Sequence, residues 1–351
     1  MPTNRGMVPG LDIPARTLAD WLARHLPEAG PLIAVEKFGQ GQSNPTYRLD
    51  CAGARLVLRA KPPGDLVTSA HQVEREFRAM AALARTPVPV PRVLALAPDA
   101  QSPLGRAFFV MEYLEGRIFW DPALPEVAQD ARPALYDAMN AVLAALHEVD
   151  VDAVGLGDFG PRGAYFARQL DRWSRQVRAG GADRDPEMAA LIAWLERAVP
   201  ADDGQVALVH GDYRLDNMVF DAEVAAVRGL IDWELSTLGH PLADLAYQCM
   251  QWRLPHDAGM RGLGGRDRAA LGLPDEEAYV AAYCRRRGLG GLDHWPFYLA
   301  FSFFRLAAIL HGVVGRAAAG NASNPESARR YAQAIPVLVH LGRGIAAEAA
   351  A

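Results

Sequence analysis

The sequence predicts an α+β chain in two unequal parts, a small β-rich N-terminal part and a larger, mainly helical C-terminal part. Two patterns and the length support this. Short β-like runs separated by turn residues fill the chain before Leu114. Long alanine- and leucine-rich stretches at helical spacing fill most of it after Gly116. The 351 residues exceed one small module and suit two domains, read here as 1–114 and 115–351.

An amphipathic helix is expected from Pro14 to Leu26, where Leu18, Trp21, Leu22 and Leu26 recur at helical spacing. Three strands follow, Leu32–Phe38, Thr46–Asp50 and Arg55–Arg59, joined by a glycine-rich turn and then a short turn through Gly53. They read as an antiparallel meander. A dinucleotide-binding glycine loop would instead open a helix. A helix over Ser69–Arg85 precedes a proline-rich segment and two further strands, Arg92–Ala95 and Ala107–Tyr113. Helices are then expected over about 126–149, 164–179, 187–199, 241–253, 276–288, 295–319 and 326–347. Pro325 suits a first helical position, and Pro336 should kink or break the last helix. A β-rich island, Val206–Val209 and Met218–Ile231, interrupts the helices.

Half the residues are apolar and 22% are charged, which argues against wholesale disorder. The net charge of −5 supplies no basic field for nucleic acid. Cys51, Cys249 and Cys284 are odd in number and show no C-x-x-C spacing. A disulfide framework and a thiolate zinc site are therefore not expected, and a cytoplasmic location is. No signal segment is expected at the N-terminus. The apolar stretch Trp295–Val314 is interrupted by Arg305 and His311, so it reads as a buried helix and not a membrane span.

The strongest chemical signal is Val209-His210-Gly211-Asp212-Tyr213-Arg214-Leu215-Asp216-Asn217-Met218, followed by Ile231-Asp232-Trp233-Glu234. A strand delivers Asp212 onto a loop, Asn217 follows five positions later, and a second strand ends at Asp232. Phosphoryl transfer needs this inventory: one carboxylate for the acceptor hydroxyl, and a carboxylate with an amide oxygen for Mg²⁺. Turn capping by Asp and Asn is the plainer reading of the first motif alone. The second aspartate weakens it.

These runs resemble the kinase-like phosphotransferases grouped with aminoglycoside phosphotransferase and choline kinase, in which H-G-D-x-x-x-x-N replaces the H-R-D-x-x-x-x-N of protein kinases. The resemblance implies a two-lobed protein-kinase-like fold and the use of ATP and Mg²⁺. It implies Asp212 as catalytic base and Asn217 and Asp232 as metal ligands. Arg214 falls where protein kinases carry a lysine that contacts the γ-phosphate, which makes it a weaker catalytic candidate.

The N-terminal part carries matching signals. Gly39, Gln40, Gly41, Ser43 and Asn44 form a turn whose backbone could approach phosphates, although an ordinary hairpin turn explains it too. The Walker A pattern is absent. By resemblance, a basic residue on the third strand binds the α/β-phosphates and pairs with a helix glutamate. Alignment favours Arg59 for this, with Lys61 two positions on as the alternative. Val73-Glu74-Arg75-Glu76 points to Glu76 as the partner. Phe109–Gly116 resembles the hinge, where the Glu112 carbonyl and the Leu114 N–H would meet adenine. Asp244 reads as a structural brace or helix cap, and His147 as a packed helix residue.

A small-molecule acceptor is expected. Residues 251–351 hold 12 arginines against 8 acidic residues, which suits an anionic substrate better than a polycationic aminoglycoside. Helix-surface solvation accounts for these arginines equally well. The runs L-R-A-K-P-P-G, S-A-H-Q-V-E-R-E and D-W-E-L-S-T-L-G resemble the phosphotransferase domain fused to certain animal acyl-CoA dehydrogenases. That resemblance implies a hydroxyacyl-CoA acceptor, with an aminoglycoside- or choline-like alcohol as the alternative. Two other classes remain: a nucleotide-binding regulator without catalysis, and a metal hydrolase built on His210, Asp212, Asp232, His240 and Asp244.

Overall fold

The computed structural model describes residues 6–11, 13–39, 44–63, 72–256, 261–318 and 325–349. Strand periodicity is clearest in β2, Thr46–Cys51, where Tyr47, Leu49 and Cys51 are buried in alternation with half-buried neighbours. With β1 (Leu32–Lys37), β3 (Arg55–Ala60), β4 (Val93–Ala97) and β5 (Phe108–Glu112) it builds a sheet in the order β1-β2-β3-β5-β4. Every neighbouring pair is antiparallel, so the expected meander is present. Helix α1, Ala15–His25, buries Leu18, Trp21 and Leu22. Trp21 meets Phe108 of β5 edge to face, ring centroids 4.7 Å apart. Helix α2 spans Val73–Leu83. Residues 69–71 of the predicted helix lie outside the described residues.

The chain divides into two compact units, Met1–Gly116 with Arg228–Leu235, and Arg117–Val227 with Ser236–Ala351. The sequence reading assigned the segment 228–235 to the larger part. Its bonds place it in the smaller one. The Leu230 N–H donates to the Pro89 carbonyl at 2.8 Å. A Cβ at Gly229 would lie 2.2 Å from Leu114 Cδ1.

In the second unit the helices are α3 (Arg132–His147), α4 (Tyr165–Ala179), α5 (Pro186–Ala198), α6 (Leu242–Cys249), α7 (Arg268–Leu271), α8 (Glu276–Arg287), α9 (Trp295–Ala318) and α10 (Pro325–Glu348). Strands β6 (Ala207–Val209), β7 (Met218–Phe220), β8 (Val227–Leu230) and β9 (Thr237–Gly239) form the predicted island, β8 lying mostly in the first unit. The run read as continuous from Met218 is split. Asp221 turns the chain by accepting from the N–H groups of Glu223 and Val224. The sequence reading missed β9, a three-residue strand that pairs antiparallel with β6.

Helix α6 is shorter than expected and passes into a 3₁₀ turn at Met250–Trp252. Helix α10 corrects another expectation, since it is unbroken at Pro336. Its buried residues Ala334, Leu338 and Val339 flank the proline, and α10 packs along α9. That packing outweighs the lost backbone bond. Helix α9 holds a window, Trp295–Gly315, long and apolar enough to cross a membrane, but 72% of it is buried among α4, α5, α6 and α10.

Candidate active site

In the second unit, fully buried β6 delivers His210, Gly211 and Asp212. Gly211 has φ +83°, a conformation that glycine adopts without strain. Asp244, in the first turn of α6, fixes the loop. It accepts from the His210 N–H at 2.6 Å and the Gly211 N–H at 2.8 Å. Burial would raise the Asp244 carboxyl, but His147, His210 and the Gly211 N–H hold it below the usual range. His147 is buried between Asp244, 3.4 Å away, and the Tyr283 hydroxyl at 2.8 Å. Both residues are therefore packed braces.

Asp212 is held from several directions. Its Oδ1 accepts from the Tyr247 hydroxyl at 2.8 Å and lies 2.9 Å from Arg214 Nε. Its Oδ2 accepts from Asn217 Nδ2 at 3.0 Å and from Arg214 Nη2 at 3.2 Å. The short 3₁₀ turn Leu215–Asn217 returns Asn217 to the loop, where Nδ2 also donates to the Asp212 carbonyl. Burial alone would raise the Asp212 carboxyl. Arg214, Tyr247, His210 and Asn217 outweigh it and hold the group below the usual carboxylate range. The sequence motif thus brings Asp212, Arg214 and Asn217 together. Tyr247 is a site residue that the sequence reading missed, because a tyrosine inside a helix signals only packing.

In the first unit, Arg59 is the centre. Its Nε lies 2.8 Å from Glu76 Oε2, and its Nη2 lies 2.5 Å from Asp232 and 3.6 Å from Glu234. Lys61 is instead paired with Glu74 and Asp99. Glu76 is buried, which pushes its carboxyl up. Arg59 opposes that push and the charge of Asp232 adds to it. Asp232 has φ +66°, a left-handed conformation that aspartate tolerates better than most residues.

Asn44 was expected at the nucleotide. Its side chain is buried instead, with Nδ2 donating to Glu76 at 2.8 Å and to Glu234 at 3.3 Å. It braces the carboxylates around Arg59. Glu234 is a second residue that sequence reading missed. Gly39 is exposed, while Gln40, Gly41 and Ser43 lie outside the described residues. At the hinge candidate, the Glu112 N–H donates to the Arg92 carbonyl and the Glu112 carboxylate accepts from the Arg92 N–H at 2.8 Å. The Arg92 N–H is therefore taken by the side chain of Glu112. Leu114 follows that strand and flanks Gly229.

The hydrolase reading loses its ligands. His240 faces Asp203 at 3.2 Å, and Asp244 is committed to the loop. Among the described residues no group of three or more His, Cys, Asp or Glu could hold a metal ion.

Residues 34–301 match the model of the family described as "Phosphotransferase enzyme family". The chain is 45% identical over 324 residues to acyl-CoA dehydrogenase family member 10 of Mus musculus, covering 92% of this chain and 30% of that protein's length. A solved Ralstonia eutropha chain, provisionally assigned as an aminoglycoside phosphotransferase, is 43% identical, with TM-score 0.83 and coverage of 95% and 98%. The fold alone is shared with an aminoglycoside phosphotransferase solved in complex with AMP-PNP and hygromycin B, at 15% identity, TM-score 0.61 and coverage of 93% and 99%. The chain therefore belongs to the phosphotransferase enzyme family, whose members act on small molecules, and it carries the protein-kinase-like fold.

Proposed function

We propose that this chain transfers the γ-phosphoryl group of ATP to the alcohol of a small molecule in a Mg²⁺-dependent reaction, and that the acceptor is a hydroxyacyl-CoA. The observation that carries the reading is the Asp212 carboxylate, kept ionised and aimed by Tyr247, Arg214 and Asn217. An ionised, oriented carboxylate can accept the hydroxyl hydrogen bond and take the proton as the acceptor oxygen bonds to phosphorus and ADP leaves.

Asn217 and Asp232 are the assigned metal ligands. Asn217 commits Nδ2 to Asp212, so Oδ1 is its donor atom for a cation. A carboxylate and an amide oxygen suit Mg²⁺, which completes its shell with phosphates and water. Bound Mg²⁺ would offset phosphate charge. Arg59, oriented by Glu76, is assigned to the α/β-phosphates, and Arg214 to the γ-phosphate. Gly39, Gln40, Gly41 and Ser43 would cover the phosphates, and the Glu112 carbonyl and Leu114 N–H would meet adenine. Two findings support the acyl-CoA acceptor: the likeness to acyl-CoA dehydrogenase family member 10, and the arginine excess after residue 250.

The test is mass spectrometry of reactions with ATP and Mg²⁺ over 4-hydroxyacyl-CoAs, their free acids, choline and kanamycin. A phosphoryl adduct on an acyl-CoA that disappears in Asp212→Asn is expected. An adduct on choline or kanamycin alone would overturn the acceptor. No adduct despite ATP binding would leave a nucleotide-binding regulator.

A further inference from the structure

Helix α9 is mostly apolar, yet it carries Arg305 in its buried face among Phe301, Phe304, Leu306 and Ala308. The residue is 8% exposed. Its Nη1 donates to the Gly211 carbonyl at 2.9 Å, and its guanidinium carbon lies 5.6 Å from the Tyr247 ring centroid. Nε is enclosed without a hydrogen-bond partner. Among the described residues no carboxylate pairs with it, whereas Arg59, Arg214 and Arg253 each have one.

A buried guanidinium with no carboxylate partner among the described residues is poorly compensated, and proteins rarely keep such a charge without an anion to meet it. Its position names the use. Gly211 is the residue before Asp212, and the Tyr247 hydroxyl holds Asp212 Oδ1. The uncompensated charge thus borders the carboxylate assigned to the acceptor hydroxyl.

We infer that Arg305 is an acceptor-binding residue that pairs with an oxyanion of the phosphoryl acceptor, a carboxylate or a phosphate, and so selects anionic alcohols. The identity of the acceptor alcohol rests on the phosphotransferase reading above. The need for an anion does not.

The experiment compares wild type, Arg305→Met and Arg305→Lys on three matched acceptors: a 4-hydroxyacyl-CoA, the free 4-hydroxy acid, and the uncharged N-acetylcysteamine thioester. Arg305→Met is expected to raise KM for an anionic acceptor about tenfold to a hundredfold, the range of a charge-assisted bond. KM for ATP should stay within about twofold, the uncharged thioester should lose about tenfold less than the anionic acceptor, and Arg305→Lys should recover part of the loss. Loss with the CoA thioester alone identifies a phosphate, and loss with the free acid identifies a carboxylate. Equal loss on all three acceptors would overturn the proposal and make Arg305 a brace for the Gly211 carbonyl. So would no loss on any.

Calorimetric titration of wild type and Arg305→Met with CoA and with the free hydroxy acid reads the anion site without turnover. Binding lost in Arg305→Met sustains the site even where no acceptor is phosphorylated. Binding equal in both, or absent from wild type, overturns it.

Discussion

The Tyr247 hydroxyl donates to Asp212 Oδ1 at 2.8 Å across 35 positions of sequence, so α6 sets the orientation and charge of the carboxylate at the end of β6. Burial and the charge of Asp212 push the phenol above its ordinary range, so it stays a donor at every working pH. Tyr247→Phe removes a donor from the ionised form, and the Asp212 pKa should rise. Under the proposed reaction kcat falls about tenfold to a hundredfold, the scale of one hydrogen bond to a charge. The acid limb of the kcat profile moves to higher pH. An unshifted acid limb in Tyr247→Phe would show that Asp212 is not the group being titrated.

Asp244 supports the same loop through two backbone N–H groups. Asp244→Ala leaves both buried and unsatisfied, at a cost of about 2–5 kcal/mol in urea unfolding. Asp244→Asn keeps one acceptor and should cost less. The folded pKa of Asp244 is depressed, so its stabilising contribution is present above the unfolded value of about 3.9 and is lost as pH falls through the folded value. Wild-type melting temperature should drop across that acid range, and Asp244→Asn should drop less steeply.

Arg59 lies in β3 and Lys61 just past its end, and their environments differ. Arg59→Met strands Glu76 in a buried site and should destabilise by about 3–5 kcal/mol. Lys61→Met breaks pairs that reach solvent and should cost about 1 kcal/mol or less. Equilibrium unfolding of both variants checks the contrast. ATP titration should show binding lost in Arg59→Met and retained in Lys61→Met.

Asn44 is the neutral donor between two carboxylates. Asn44→Ala removes the bonds and should cost about 1–3 kcal/mol. Asn44→Asp adds a negative charge beside Glu76 and Glu234, so it should cost more than Asn44→Ala at neutral pH and recover on acidification. Thermal melts at pH 5 and 8 separate the two. A melt of Asn44→Asp that does not change with pH would contradict the bracing role.

What was legible in the sequence is what short range decides. The spacing of Asp212 and Asn217 survives as a real contact because a single 3₁₀ turn closes five residues. The run read as a strand over Thr46–Asp50 is present as Thr46–Cys51, because a strand shows its two faces every second residue. Periodicity also placed the helices of the second unit, although it misjudged Pro336, where packing along α9 carries α10 past the local break. The sequence by itself therefore determined the strand-rich and helical parts and the Asp212–Asn217 loop, while the Arg59–Glu76 pair came from resemblance and the structure shows the contact.

Only the tertiary structure decided which distant side chains complete each group. Tyr247 and Arg305 reach the Asp212 loop from separate helices, and Glu234 reaches Arg59 from a segment that returns to the first unit. It also turned Asn44 from an expected nucleotide contact into a buried brace. The physical reason is common to all four. A buried polar group must find its partner wherever packing leaves one, and that choice depends on neighbours in space that no local pattern encodes.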